Sequence, residues 1–195
     1  DPAQETAALK AAIEGAAADL AELIEAEQGE AADILEFQVA MLEDDALAEG
    51  AFDAISAGTP ADHAWRSVLD AEIAGYRSAE DEYFRARVAD LVDIRDRVLV
   101  CLNGADKSAA IAGGSIVAGA DISPSTFLAA DWRRGGAIVL AAGSSSSHVA
   151  MLARARGTPM VVGLGPLCWD DRPPALALVD GDAGTVILSP RPADW

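Results

Sequence analysis

Residues 137–163 read AIVLAAGSSSSHVAMLARARGTPMVVG, and three kinds of pattern follow one another in them. The apolar run Ala137–Ala141 predicts a short strand. Gly143 and four serines then form a loop that ends on His148. A helix is predicted from about Ser147 to Arg156, stopped by Gly157 with Pro159 beyond it. Pro159–Val162 is apolar again and predicts a second strand. Strand, loop, helix and strand make an α/β unit. A Gly/Ser loop that opens a helix offers backbone N–H groups and the positive end of the helix dipole, a combination that holds phosphate. That same positive end disfavours imidazolium at His148 and leaves the neutral, nucleophilic ring. His148 is therefore a candidate phosphoryl acceptor, with Gly143, Ser146 and Ser147 as phosphate-holding residues. Two competing readings are a histidine that merely opens a helix and a Ser–His hydrolase. The second lacks Gly-x-Ser-x-Gly, and Ser147 is too near His148 in sequence to be served by it as base.

Outward from this stretch, Ser115–Ala118 and Leu176–Val179 are further short apolar runs bounded by Gly, Pro and Asp. Gly181-Asp182-Ala183-Gly184 followed by Val186–Leu188 predicts a hairpin. Ser123-Pro124 opens a helix running to about Trp132, which stops at Gly135-Gly136. Upstream of about Asn103 the pattern changes. Residues 1–100 carry 24 Asp/Glu against 7 Lys/Arg, whereas residues 101–195 carry 8 against 7, so nearly all of the net charge of −18 belongs to the first half. That half is Ala-rich with helical spacing of Leu9, Ile13, Leu20, Leu23 and Ile24, then of Ile34, Leu35, Val39 and Leu42. Leu69, Ile73 and Tyr76, then Val88, Leu91 and Ile94, continue the stripes, with breaks at Gly29 and Gly58–Pro60. The expected architecture is an all-α domain of about four helices over residues 1–103 and an α/β domain over residues 104–195.

The acidity argues against nucleic acid and anionic membranes and favours a basic partner. No apolar run approaches 18 residues and no signal peptide is visible, so a cytoplasmic protein without membrane insertion is expected. Cys101 and Cys168 have no metal or redox spacing and are read as ordinary thiols. His63 is read as a surface or helix-start histidine. Two distant histidines are too few for a metal site, so no metal is expected in this chain. The chain opens on Asp1 and is read as a processed product or part of a longer polypeptide.

Residues Gly143–Gly163 resemble the phosphohistidine signature of phosphoenolpyruvate-utilising enzymes. Ser146-Ser147-His148 stands at that family's Thr-Ser-His, Ala153-Arg154 at its Ala-Arg, and Pro159–Gly163 at its following strand. Ala120–Ser125 resembles the upstream Asp-Leu-Thr-Pro-Ser segment. Glu36–Gln38 through Leu42–Asp45, Asp81–Tyr83 and Asp90–Arg95 resemble helical segments of enzyme I of the sugar phosphotransferase system. The resemblance implies a four-helix domain that docks the carrier protein HPr and a swivelling-type α/β phosphohistidine domain. It implies a phosphotransferase in which His148 Nε2 takes phosphate originating from phosphoenolpyruvate and passes it to HPr. Glu43, Asp44 and Asp45 are the docking residues favoured against HPr's basic face, and Arg154 has a supporting or structural part beside the loop.

There are departures. Ser144 and Ser145 replace a Gly and an Arg of the family's loop, and Val92 replaces an Arg of its later helix. The family's large barrel is not represented, so phosphoenolpyruvate and Mg2+ are expected to bind in an absent C-terminal domain or a separate enzyme. The ending after Val186–Trp195 resembles the truncated enzyme I-like unit of the phosphotransfer subunit of bacterial dihydroxyacetone kinase, a fusion of phosphotransferase domains. A fragment of full enzyme I fits equally. The remaining alternatives are a docking or regulatory module without transfer, and the swivelling domain of a dikinase or synthase.

Overall fold

A computed structural model describes residues 1–104, 111, 113–166 and 175–194. The chain divides into two compact units, Asp1–Ala109 with Ser123–Leu128, and Ala110–Ile122 with Ala129–Trp195. Cys168 lies outside the described residues.

The first unit is helical. Helix α1 (Pro2–Glu25) starts where Asp1 accepts from the Ala3 N–H at 3.0 Å, with Pro2 in the first turn. Helix α2 (Glu30–Glu43) follows Gly29, whose φ of 61° suits a residue without Cβ. Asp44 ends α2 and caps α3 (Asp45–Ser56) by accepting from the Ala46 N–H at 3.0 Å. Helix α4 (Ala61–Ser78) follows Pro60, which has no side chain to cap it. Glu5 of α1 supplies the cap instead, accepting from the Ala61 N–H at 2.8 Å. Short α5 (Glu82–Ala86) is capped by Asp81, and α6 (Val88–Asn103) ends at left-handed Gly104. The apolar pattern predicts about four helices, and six are described between Pro2 and Asn103. The extra divisions fall at Asp44 and Arg87, where chain direction changes without an apolar gap.

Helix α1 packs on α2 and α6, while α4 packs on α3 and α6. Leu9, Leu20, Leu35, Ile55, Leu69 and Ile94 fill the space between them. Each such side chain contributes about 1.5–3 kcal/mol by leaving water. Trp65 is fully buried, and its indole N–H donates to the Arg95 carbonyl at 3.1 Å. Arg95 itself bonds Asp96 and Asp70, and these hydrogen bonds raise its already high pKa.

The second unit holds a parallel sheet of β1 (Ile116–Gly119), β2 (Ala137–Leu140) and β3 (Met160–Val161), in that order. Helix α7 (Pro124–Ala129) lies between β1 and β2 in sequence, and a 3-10 turn at Trp132–Arg134 follows it. Ser123 caps α7 by accepting from the Thr126 N–H at 3.2 Å. Residues 123–128 nevertheless group with the helical unit. Helix α8 (His148–Ala155) connects β2 to β3. Strands β4 (Ala177–Asp180) and β5 (Thr185–Leu188) form the hairpin, and β4 neighbours β3. The β2 side chains are all buried, as expected of a central parallel strand. Gly181 sits at the hairpin turn because an added Cβ would lie 3.0 Å from the Met160 nitrogen. Among the described residues no helix is long and apolar enough to cross a membrane.

Candidate functional site

The carboxyl edge of a parallel sheet, where the strands end and helices begin, is the usual place for a ligand in this architecture. Here β2 runs straight into the Gly/Ser loop, and the ladder continues past its last strand residue. Ala141 and Ala142 N–H groups donate to the Gly119 and Ala120 carbonyls, both at 2.9 Å. On the other flank Gly163 donates to the Ala142 carbonyl at 3.0 Å and Gly165 to the Ala141 carbonyl at 2.9 Å. The root of the loop is thus held on both sides. Gly143 turns the chain away with φ of 86°, a conformation that side chains rarely adopt.

From Gly143 the loop is exposed until Ser147. The Ser144 and Ser146 hydroxyls lie 3.0 Å apart. Ser147 is the N-cap of α8, and its hydroxyl accepts from the Ala150 N–H at 3.2 Å. Its acceptor role is used there, which leaves its O–H proton to donate to an anion. His148 is the first residue of α8 and is half-buried. Behind it Val149, Ala150, Leu152 and Ala153 are buried, so the helix is anchored directly after the loop. Replacing Ser147 with Ala is expected to cost about 1 kcal/mol through loss of the cap. Thermal melting reads that loss, and unchanged stability would refute the capping role.

Gly143, Ser146, Ser147 and His148 therefore occupy one loop and one helix start. Arg154 reaches back from the last turn of α8 and donates from Nη1 to the Ser145 carbonyl at 2.8 Å. It ties the middle of the loop to the helix. Glu43, Asp44 and Asp45 lie in the other unit, exposed at the corner between α2 and α3, where Asp44 also caps a helix. His63 is exposed near the start of α4. Cys101 is a free thiol. No group of three His, Cys, Asp or Glu is placed to hold a metal among the described residues.

Some contributors were not assigned a role from sequence. Asp121 lies next to the loop, its Oδ1 4.0 Å from where a Gly143 Cβ would be, and it accepts from the Ile122 N–H at 2.9 Å. A cavity of about 710 Å3 is lined by Ser145, Arg154, Thr158, Met160, Val179 and Asp180, among others. His148 is not one of its walls. Neither feature has a short-range sequence signal, since both depend on the return of β1, β3 and β4 to the loop.

Comparison with known proteins gives two family matches. Residues 1–87 match the model "PEP-utilising enzyme, N-terminal", and residues 111–184 match "PEP-utilising enzyme, mobile domain". The phosphoenolpyruvate-protein phosphotransferase of Streptomyces coelicolor is 32% identical over 97% of this chain, which covers 34% of that protein. The phosphoryl donor subunit DhaM of the PEP-dependent dihydroxyacetone kinase of Klebsiella michiganensis is 37% identical over 61% of this chain, covering 24% of that protein. The chain thus spans about a third or less of the length of these curated relatives. A solution structure described as Enzyme I (nEIt) superposes with a TM-score of 0.69 at 27% identity, covering 99% of this chain and 81% of that one. The N-terminal domain of an Enzyme 1 described as "Nitrogen" gives 0.63 at 26% identity, with the same coverage.

Proposed function

This chain belongs to the PEP-utilising enzymes, of which it carries the N-terminal and mobile domains, and we propose that it is the phosphohistidine-bearing part of a phosphotransferase. The observation that carries the proposal is His148 at the first turn of α8, after a Gly/Ser loop rooted on the carboxyl edge of the sheet. In this reading the neutral His148 ring attacks the phosphorus of a phosphoryl donor. The N–P bond forms as the donor's bond to phosphorus breaks, and the donor keeps that electron pair. The attacking nitrogen is Nε2 in the family's pattern. The transferred group brings negative charge to the positive end of α8, where the hydroxyls of Ser146 and Ser147 donate to its oxygens. The reverse arrangement hands the group to an acceptor. Ultimate supply is from phosphoenolpyruvate. In this reading its binding site, and the Mg2+ that goes with it, belong to a C-terminal domain outside this chain or to a separate enzyme.

The acceptor, or the donor in a fusion like DhaM, is an HPr-like phosphocarrier in the cytoplasm. The helical half supports this with its concentrated negative charge. Glu43, Asp44 and Asp45 are exposed on it, and so are the aromatic rings of Tyr83 and Phe84. Carboxylates steer a basic partner, and exposed rings give it an apolar contact.

The test supplies the chain with intact enzyme I, phosphoenolpyruvate, Mg2+ and HPr. Acid-labile phosphate on the chain, dependent on HPr, is the expected result. Binding of HPr with no phosphate transferred would overturn the reading in favour of a docking module. Affinity for HPr is expected to fall roughly tenfold between about 0.05 M and about 0.5 M salt, because the attraction is between surface charges. Calorimetric titration at both salts measures it, and a salt-independent affinity would remove the acidic dock.

A further inference from the structure

We propose that the cavity bordered by α8, β3 and the β4–β5 hairpin binds a free α-amino acid with a bulky apolar side chain. Its volume of about 710 Å3 lies in the range of small-molecule pockets. All of its walls belong to the second compact unit. Much of the lining is apolar, with Ala150, Ala153, Met160, Val162, Leu178 and Val179. Such a surface takes a hydrocarbon or aromatic side chain out of water.

The polar groups of the walls have capacity to spare. Arg154 gives one Nη1 proton to the Ser145 carbonyl at 2.8 Å, and its Nε and Nη2 have no partner among the described residues. Those two nitrogens form a fork that holds a carboxylate through two parallel hydrogen bonds. Asp180 is fixed at the hairpin turn, where its Oδ1 accepts from the Asp182 and Ala183 N–H groups at 3.0 and 2.8 Å. Its Oδ2 and the whole Asp182 carboxylate are unengaged among the described residues. These two acids, with the negative end of α8 at Arg154 and Gly157, suit an ammonium group. Among the described residues neither acid forms an ion pair with Arg154. Opposite charges kept apart on the walls of one cavity match the two charged ends of a zwitterion.

Thr158 is the independent sign that something polar belongs here. It borders the cavity and is 8% exposed, yet its hydroxyl is buried without a hydrogen-bond partner. Folded proteins rarely leave such a group unmet. A ligand carboxylate on Arg154 that draws this hydroxyl toward the cavity supplies the missing acceptor. Ser145 is also a wall, so occupancy reaches the histidine loop through the bond that Arg154 makes to it.

The experiment titrates the full chain with L-phenylalanine, by calorimetry and by 1H–15N spectra. The comparison ligands are 3-phenylpropionate, 2-phenylethylamine, glycine and inorganic phosphate. L-Phenylalanine should bind with a Kd of about 1 mM or tighter. The two fragments that lack one charge, and glycine, which lacks the side chain, should bind at least about tenfold more weakly. The amide signals of Ser145 and Thr158 should be among those that move. Arg154→Gln, Asp182→Asn and Thr158→Val should each weaken binding at least about fivefold. Thr158→Val should do so without lowering the melting midpoint, because it removes a hydroxyl that has no partner. A site that binds no L-phenylalanine, prefers inorganic phosphate, or takes the fragments as well as the amino acid would overturn the proposal. So would binding that none of the three substitutions weakens. Should Arg154→Gln not fold, Asp182→Asn and Thr158→Val decide alone, since neither removes a described side-chain hydrogen bond. None of these readouts needs phosphate transfer, so the site stands or falls apart from the function proposed above.

Discussion

Replacing His148 with Ala is expected to abolish phosphate uptake, slowing it by at least about a thousandfold, while HPr still binds within about twofold of wild type. The substitution removes the proposed attacking nitrogen and leaves the buried side chains of α8 in place. His148 is half-buried at the helix start, whereas Val149, Ala150, Leu152 and Ala153 carry the packing. The cap from Ser147 to the Ala150 N–H does not involve the imidazole. The variant should therefore stay folded, which its melting midpoint checks, and labelling with phosphoenolpyruvate, enzyme I and HPr then reads the chemistry. Labelling equal to wild type would move the acceptor elsewhere. His63, exposed in the helical half, would then be the other histidine to replace.

The second large effect is expected at Gly136, one residue before β2. Its φ is 123°, and an added Cβ would lie 2.7 Å from the Ser115 carbonyl oxygen and 3.6 Å from the Ser115 nitrogen. Both are backbone atoms, and the same Ser115 oxygen accepts the Ala137 N–H at 3.3 Å where the β1–β2 ladder begins. Neither strand can move aside without opening that ladder. Gly136→Ala should cost about 3 kcal/mol or more from the clash and the backbone conformation together. A drop of more than about 10 °C in the melting of the α/β unit would register it. Gly75→Ala is the matching control. Gly75 lies within α4, and nothing is within 4 Å of its added Cβ. That change should stabilise by about 0.5–1 kcal/mol. If the two variants melt alike, the close approach at Gly136 has no energetic weight.

The histidine loop was legible because its signals are local. A β-forming run, a glycine, a serine cap and a glycine stop each act within a few residues, and α8 spans His148–Ala155 where the sequence predicts a helix from about Ser147 to Arg156. Strand β2 was legible for the same reason. Less legible was the purpose of polar residues on helices. Glu43-Asp44-Asp45 reads as an acidic surface, but Asp44 also ends one helix and starts another. Gln38, Asp90 and Asp93 interrupt apolar stripes and would ordinarily be placed in solvent, yet they are buried against one another. Their pairing spans more than 50 residues, and no periodicity reports such a distance. Arg154 was visible as part of a motif, but its bond to the Ser145 carbonyl depends on helix geometry and on where the loop turns.

The carboxylate of Asp93 also bears on how such proteins can be recombined. A chimera that joins the helical half of one relative to the α/β half of another near residue 103 follows the apparent sequence border. It would nevertheless draw Asp93 from one parent and Ser125, whose N–H and hydroxyl donate to that carboxylate, from the other. Parents that differ at either position would yield a graft with a buried polar group lacking its partner, a mismatch that costs stability. Crossovers placed after residue 128 keep the pair together, so the inheritable block is longer than the helical half alone.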